Sequence, residues 1–400
     1  MAKVDPGGPI TERADVVELL DKVPLTKLEQ DAPKQVCCLT GATSLVGAHV
    51  VRRLLRAGHT VHAPIRGGDD APRLGYLKAM PGAAERLKFF GGCDLMVAGS
   101  YDASMAGCAT VIHVASPFFM IGSKKKIREK LIDPAVKGVE HLLASCSKTP
   151  SVTRVVLTGT VLAASCDSRA YFKDKNFTVG PDDWEETCSE KELPYVYSKV
   201  LQEKRAEEIA AAQSQWTLVS LLIAGTFGPP CAADGAGVPV MFMKHNLKGL
   251  FFPACPPMGF PMHDIRDTAV YHTHAMLAPK AKGRYIPPMR YVWFMEWANA
   301  LKKDKKTNQF MLPFFHLPFF MKPVFAMMAP ILGVDGAFAK RLWRTNVQWD
   351  FSKNGDLELD SERFTPIVTK DSCVTMCVDM VKAFKIYKIG AFSTSMTRYK

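Results

Sequence analysis

The pattern Tyr-x-x-x-Lys occurs twice in this chain of 400 residues, at Tyr171/Lys175 and at Tyr195/Lys199. Residues four apart share a helix face, so such a pair sets an ammonium beside a phenol only where its segment is helical. Tyr171 lies in Tyr-Phe-Lys-Asp-Lys-Asn-Phe, a polar connection without helical continuation. Tyr195 opens Tyr-Val-Tyr-Ser-Lys-Val-Leu-Gln-Glu-Lys-Arg-Ala-Glu-Glu-Ile-Ala, which is rich in helix formers. Tyr197 cannot take its place, since its i+4 neighbour is Leu201. An ammonium beside a phenol favours phenolate, so Lys199 is expected to lower the Tyr195 pKa and make it an acid/base group near neutrality. A third group is needed to hold a carbonyl oxygen, and the hydroxyl of Thr160 is the candidate.

These side chains need elements to place them. Val152–Leu157 reads as a buried strand, and Thr158-Gly159-Thr160 ends it where ligands bind in open α/β sheets. The run from about Val196 to Ala212 reads as the next helix, followed by a strand over Thr217–Ile223. Upstream, Gln35–Thr40 reads as a strand, Ala48–Ala57 as a helix ending at Gly58, and Thr60–Ile65 as a second strand. Further strands are expected at Leu87–Phe90 and Thr110–Ala115, and a helix at about Ile127–Ser147. Alternating strands and helices imply a Rossmann-type, doubly wound parallel sheet of the α/β class.

Between the first strand and helix stands Gly41-Ala-Thr-Ser-Leu-Val-Gly47, spaced like G-x-x-G-x-x-G but with Ser44 at the middle place. Such a turn brings backbone close to a pyrophosphate, and the helix N-terminus supplies free N–H groups and positive dipole. The second strand closes on Arg66, with Arg73 seven residues later, where an acid would bind a ribose 2′-hydroxyl. Guanidinium groups there suit a 2′-phosphate, so the cofactor expected is NADP(H) rather than NAD(H). Lys199 can then also hold the nicotinamide ribose, and the chemistry is hydride transfer.

Together these segments resemble the extended short-chain dehydrogenase/reductase family, of the NAD-dependent epimerase/dehydratase type. The nearest branch holds dihydroflavonol reductases, cinnamoyl-CoA reductases and 3β-hydroxysteroid dehydrogenase-like proteins. Thr40-Gly-Ala-Thr-Ser-Leu-Val-Gly47 is similar to T-G-A-x-G-x-[IV]-G, and Pro194-Tyr-Val-Tyr-Ser-Lys199 to P-Y-x-x-S-K. Asp94-Leu95 is similar to a D-L pair beside the adenine, and His113-Val-Ala-Ser-Pro117 to H-V-A-[ST]-P on the nicotinamide side. Asp264-Ile-Arg-Asp267 with His272, and Gly283-Arg-Tyr-Ile286, match later segments. The resemblance implies that Gly41, Thr43, Ser44, Leu45, Val46 and Gly47 cradle the dinucleotide. It adds Arg66, Arg73, Asp94, Leu95, Val114, Ala115, Ser116, Ile223 and Thr226 to the cofactor set, with Tyr195 and Lys199. Thr160 stands at the catalytic Ser place, within Thr158-Gly159-Thr160 where T-S-S is usual. Ile223-Ala-Gly-Thr226 stands where P-x-x-V is usual.

Composition excludes other classes. Apolar residues at 48% and charged residues at 22% describe a globular chain. The eleven Cys contain no CxxC pair, so reduced buried thiols in a cytoplasmic protein are expected, with no metal site. The net charge of +12 comes from short basic clusters without an aromatic ladder, which argues against nucleic acid. Residues 1–34 carry many acids and no apolar core of a signal peptide; Thr11–Leu28 has helical spacing and reads as an amphipathic extension. The expected organisation is that extension, an NADP-binding domain over 35–225, and a smaller substrate-binding part over 226–400 whose segment 261–290 returns to the core. The Phe/Pro/Met run from Phe310 to Leu332 is broken by four prolines and does not read as a spanning helix. The small-molecule substrate is expected to be apolar. Two rival readings stand: a non-catalytic dinucleotide-binding subunit of a larger assembly, and a membrane-surface sterol or lipid dehydrogenase.

Overall fold

A computed structural model describes residues 14–69, 71–118, 122–166, 177–232, 237–303, 311–329, 335–344, 347–359 and 379–383. The rival pair Tyr171/Lys175 lies outside them. Seven parallel strands form the central sheet: β1 (Val36–Thr40), β2 (Thr60–Pro64), β3 (Leu87–Phe90), β4 (Thr110–His113), β5 (Arg154–Thr160), β6 (Thr217–Ile223) and β7 (Gly283–Tyr285). Their spatial order is β7-β6-β5-β4-β1-β2-β3, so the order reverses between β1 and β4, where a crevice opens at the carboxyl edge. Register places Thr40 beside His113, His113 beside Leu157, and Thr160 beside Ile223. The inner strands are buried on both faces, which is why they read as continuous apolar runs.

Helix Leu45–Arg56 follows β1, and helix Ile265–Leu277 packs beside it on the same face of the sheet. β4 is two residues shorter than its apolar run, because Ala115 N–H donates to the Thr40 side chain instead of to a ladder partner. Helix Asp133–Lys148 is entered through a π turn at Arg128–Ile132, next to Pro134, which has no N–H for an α-helical bond. The N-terminal stretch forms two helices, Ala14–Leu20 and Lys27–Asp31, instead of one. Pro24 separates them, and Thr26 with Glu29 makes a reciprocal capping box at the second. Val16, Leu20 and Val23 join the main core.

After β6 the chain builds a second body. Strand Gly259–Asp264 pairs parallel with Gly225–Phe227 and antiparallel with Arg290–Trp293. β7 then adds to the edge of the main sheet beside β6. A second apolar cluster, including Phe227, Phe251, Phe294 and Trp297, fills this body and reaches Leu193, Val196 and Val200 at the start of helix Pro194–Ala211.

Candidate active site

The turn after β1 is closed by backbone geometry. Gly41 has φ +74°, and a Cβ there would come within 2.9 Å of Ala115 N. A Cβ at Gly47 would lie 2.1 Å from the Gly41 carbonyl oxygen. Ser44 takes the N-cap of helix Leu45–Arg56, its hydroxyl accepting from Gly47 N–H at 2.9 Å. The side chain at the middle place of the motif is thus folded back onto the helix. Among the described residues Leu45 and Val46 N–H have no hydrogen-bond partner, as expected of a first helical turn. Thr43 is exposed, and its carbonyl accepts from the Tyr76 hydroxyl at 3.2 Å.

Arg66, two residues past β2, and Arg73, on the short helical turn Pro72–Leu74, are both exposed, and neither has a carboxylate partner among the described residues. The Arg73 guanidinium lies 3.3 Å from where a Gly67 Cβ would stand, which brings it to the residue after Arg66. Asp94 and Leu95 lie in the loop after β3, held to it and to helix Asp133–Lys148. The Asp94 carboxylate accepts from Met96 N–H at 2.8 Å, and the Leu95 carbonyl lies 2.9 Å from His141 Nδ1. Thr226 sits in the second sheet opposite His263, and Ile223 ends β6.

The catalytic candidates lie at the carboxyl end of β5 and on helix Pro194–Ala211, which packs against it. Tyr195 and Lys199 stand one turn apart on helix Pro194–Ala211, entered through Leu193 at φ +60°. A non-glycine residue in that left-handed region is uncommon, and here it stands at the N-cap of the helix. Lys199 is buried, and its Nζ donates to Gln202 Oε1 at 3.1 Å and to the Thr158 carbonyl at 3.5 Å. Burial pulls its pKa down to about 8, partly opposed by Glu203. Glu203 is itself buried against Arg284 at 3.1 Å. The Thr158 hydroxyl lies 2.9 Å from His272 Nε2, and His272 Nδ1 lies 2.7 Å from the Thr268 carbonyl. His272 therefore donates to Thr268 and accepts from Thr158.

Tyr195 is half-buried, with the Phe118 ring against it at 4.4 Å between centroids. The expected lowering of its pKa by Lys199 is not found. Burial pushes the phenol above its ordinary value, while the ammonium's hydrogen bonds go to Thr158 and Gln202. Thr160 is buried at the last place of β5, and its hydroxyl accepts from Leu162 N–H at 3.4 Å, leaving its own proton to donate.

Residues 37–250 match the family described as the NAD dependent epimerase/dehydratase family. The chain belongs to that family. Among epimerase/dehydratase relatives, cinnamoyl-CoA reductase CAD2 of Medicago truncatula is 31% identical over 274 residues, 67% of this chain and 80% of that protein. Tetraketide alpha-pyrone reductase 2 of Arabidopsis thaliana is 31% identical over 255 residues, 62% and 76% of the two chains. The crystal structure of Gre2 with NADPH from Candida albicans superposes with TM-score 0.70 at 19% identity, covering 88% of this chain and 99% of that chain. Vestitone reductase from alfalfa gives 0.64 at 22%, covering 90% and 100%. At those identities the likeness establishes the fold. The chain is a reductase of the NAD(P)-dependent short-chain type within the epimerase/dehydratase family.

Two residues beside this family member's site, Gln202 and Leu193, carried no role in the sequence, whereas His113 stood in the segment expected on the nicotinamide side. His113 Nε2 is buried without a hydrogen-bond partner, while its Nδ1 lies 2.8 Å from Thr40 Oγ1. Burial, reinforced by the Lys199 charge, pushes His113 down to about 3, so the imidazole is neutral. Ser116 Oγ, one of the expected cofactor residues, is likewise buried without a hydrogen-bond partner among the described residues. The i+3 spacing of Gln202 from Lys199 was a readable signal, whereas a positive φ at Leu193 had none.

Proposed function

We propose that this chain is an NADPH-dependent oxidoreductase that reduces a carbonyl of an apolar substrate to a secondary alcohol. One observation carries the reading: Tyr195 stands one helical turn from a buried ammonium tied to the end of β5, next to Thr160. The residues present fit a dinucleotide. Gly41 and Gly47 leave no room for a side chain, Leu45 and Val46 offer free N–H groups, and His113 at the end of β4 and Ser116 just past it hold unpartnered polar atoms. Leu45 and Val46 would hold the pyrophosphate, and Arg66 with Arg73 the 2′-phosphate. When bound, the nicotinamide supplies the hydride.

The chain's own residues do the rest. Thr160 has a hydroxyl proton to orient a carbonyl oxygen. A phenol kept protonated by burial is a proton donor at neutral pH, so Tyr195 protonates that oxygen as negative charge develops on it. The Lys199 ammonium then stabilises the phenolate left behind, an interaction stronger after transfer than before. The reductase names of the relatives and the NADPH in the Gre2 structure support this direction and this cofactor. The second apolar cluster, against which the Tyr195 ring packs, supports an apolar substrate.

The test is nucleotide binding and turnover on a carbonyl panel. NADPH is expected to quench protein fluorescence more tightly than NADH, and Arg66→Ala to remove most of that preference. Tyr195→Phe is expected to lower kcat by roughly a hundredfold or more while NADPH binding is kept. A full rate in Tyr195→Phe would remove the phenol from the mechanism, and absence of NADPH binding would remove the reading as a whole.

A further inference from the structure

The most apolar stretch of the sequence turns its large side chains outward. Over residues 311–329, Phe314, Phe319, Phe320 and Met327 are 61%, 62%, 74% and 74% exposed. The small Ala326 and Ala329 face inward with Leu312. Soluble faces do the reverse, so packing among the described residues does not account for this pattern. The patch continues onto Phe252, whose ring meets Phe314 at 5.8 Å between centroids.

Its charge is one-sided. Residues 305–334 contain no Asp or Glu, and neither do residues 237–263. Lys322 is partly desolvated and feels the like charge of Lys340, which hold its pKa below the ordinary value. The Arg344 guanidinium lies over the Phe319 ring at 5.9 Å. None of these three cations has a carboxylate partner among the described residues. A second copy meeting this face across a two-fold axis would set Lys322, Lys340 and Arg344 against their own counterparts. A bilayer with anionic headgroups offers an apolar interior and negative charge at the depth where Phe and Met side chains would stop. Among the described residues no helix is long and apolar enough to cross a membrane, so docking on the surface is the mode that remains.

We propose that this face docks peripherally on an anionic lipid bilayer, with Phe319, Phe320 and Met327 entering the headgroup region and Lys322, Lys340 and Arg344 meeting lipid phosphates. The inference stands on the surface alone and is independent of the proposed reaction. It has a consequence for access, because Leu312, Phe338 and Leu342 under this face belong to the same apolar cluster as the Tyr195 ring.

Sedimentation of the full chain with vesicles tests it. Wild type is expected to pellet with equal parts phosphatidylcholine and phosphatidylserine, less so at high salt, and to stay in solution with phosphatidylcholine alone. Phe319→Ser/Phe320→Ser is expected to lower partitioning more than roughly tenfold. Lys322→Ala/Lys340→Ala is expected to lower it by about tenfold. Both variants should keep the wild-type circular dichroism, since the changed side chains lie at the surface. Absence of binding to the mixed vesicles overturns the proposal, as does binding that survives Phe319→Ser/Phe320→Ser. A dimer in analytical ultracentrifugation that the same pair of changes dissociates would assign the face to a second copy instead.

Discussion

Lys199 makes the reaction sensitive to alkali. Its pKa of about 8, against an ordinary 10.5, means that the ammonium loses its proton just above neutrality. Without that charge the Tyr195 phenolate has no counter-ion, so kcat/KM is expected to fall as pH rises through about 8. Lys199→Arg keeps a charge that does not titrate in water, so its remaining activity should show no such limb below about pH 11. A flat wild-type profile to pH 10 would mean that another group supports the phenolate. The four-residue spacing of Tyr195 and Lys199 was legible, since it depends only on helical period. Their energetics were not. Whether an ammonium lowers a phenol depends on where its hydrogen bonds point, and these go to Thr158, 41 residues upstream, and to Gln202.

At the scale of elements, the N-terminal stretch is tied to the helix after β1 through ion pairs of Asp21 with Arg52 and Arg56 and, most deeply buried, of Glu29 with Arg53. Arg53 Nε and Nη2 meet Glu29 at 2.6 and 2.5 Å, and Thr273 donates to the same carboxylate at 2.6 Å. Burial pushes the Glu29 carboxyl up, but Arg53 and the other donors more than offset this and leave it below its ordinary value. Removing one partner strands a buried charge, which costs about 3–5 kcal/mol, whereas removing both is near neutral. Arg53→Met is therefore expected to lower the melting temperature by roughly 10 °C. Glu29→Leu/Arg53→Met should recover much of that loss. Equal melts for the single and double variants would show that the pair is not coupled. The strand–turn–helix–strand unit over 36–64 followed from its change of hydrophobic period. The break between the N-terminal helices also had a signal in Thr26-x-x-Glu29, which helical spacing alone overrode.

For the whole molecule, buried histidines set the acid limit. Burial holds His49, His113 and His263 down to about 3, and His59 and His272 to about 4. Between those values and the ordinary 6.5 the unfolded chain takes up protons that the folded chain refuses. Stability is therefore full above about pH 6.5 and falls with acidification, by on the order of 2 kcal/mol per histidine at pH 5. Five such groups rival the roughly 5–15 kcal/mol that holds a domain together. Cooperative loss of circular dichroism is expected between pH 6 and pH 4, and a native spectrum at pH 4 would refute it. The sequence by itself determined the α/β alternation, the glycine turn and the shared face of Tyr195 and Lys199, because each is set by spacing within one element. Only the tertiary structure decided which strands lie side by side. That order brings Thr158 to Lys199, leaves His113 Nε2 unpartnered and turns the phenylalanines of residues 311–329 to the surface. Contacts between distant segments follow from how sheet and helices pack, and no local period encodes them.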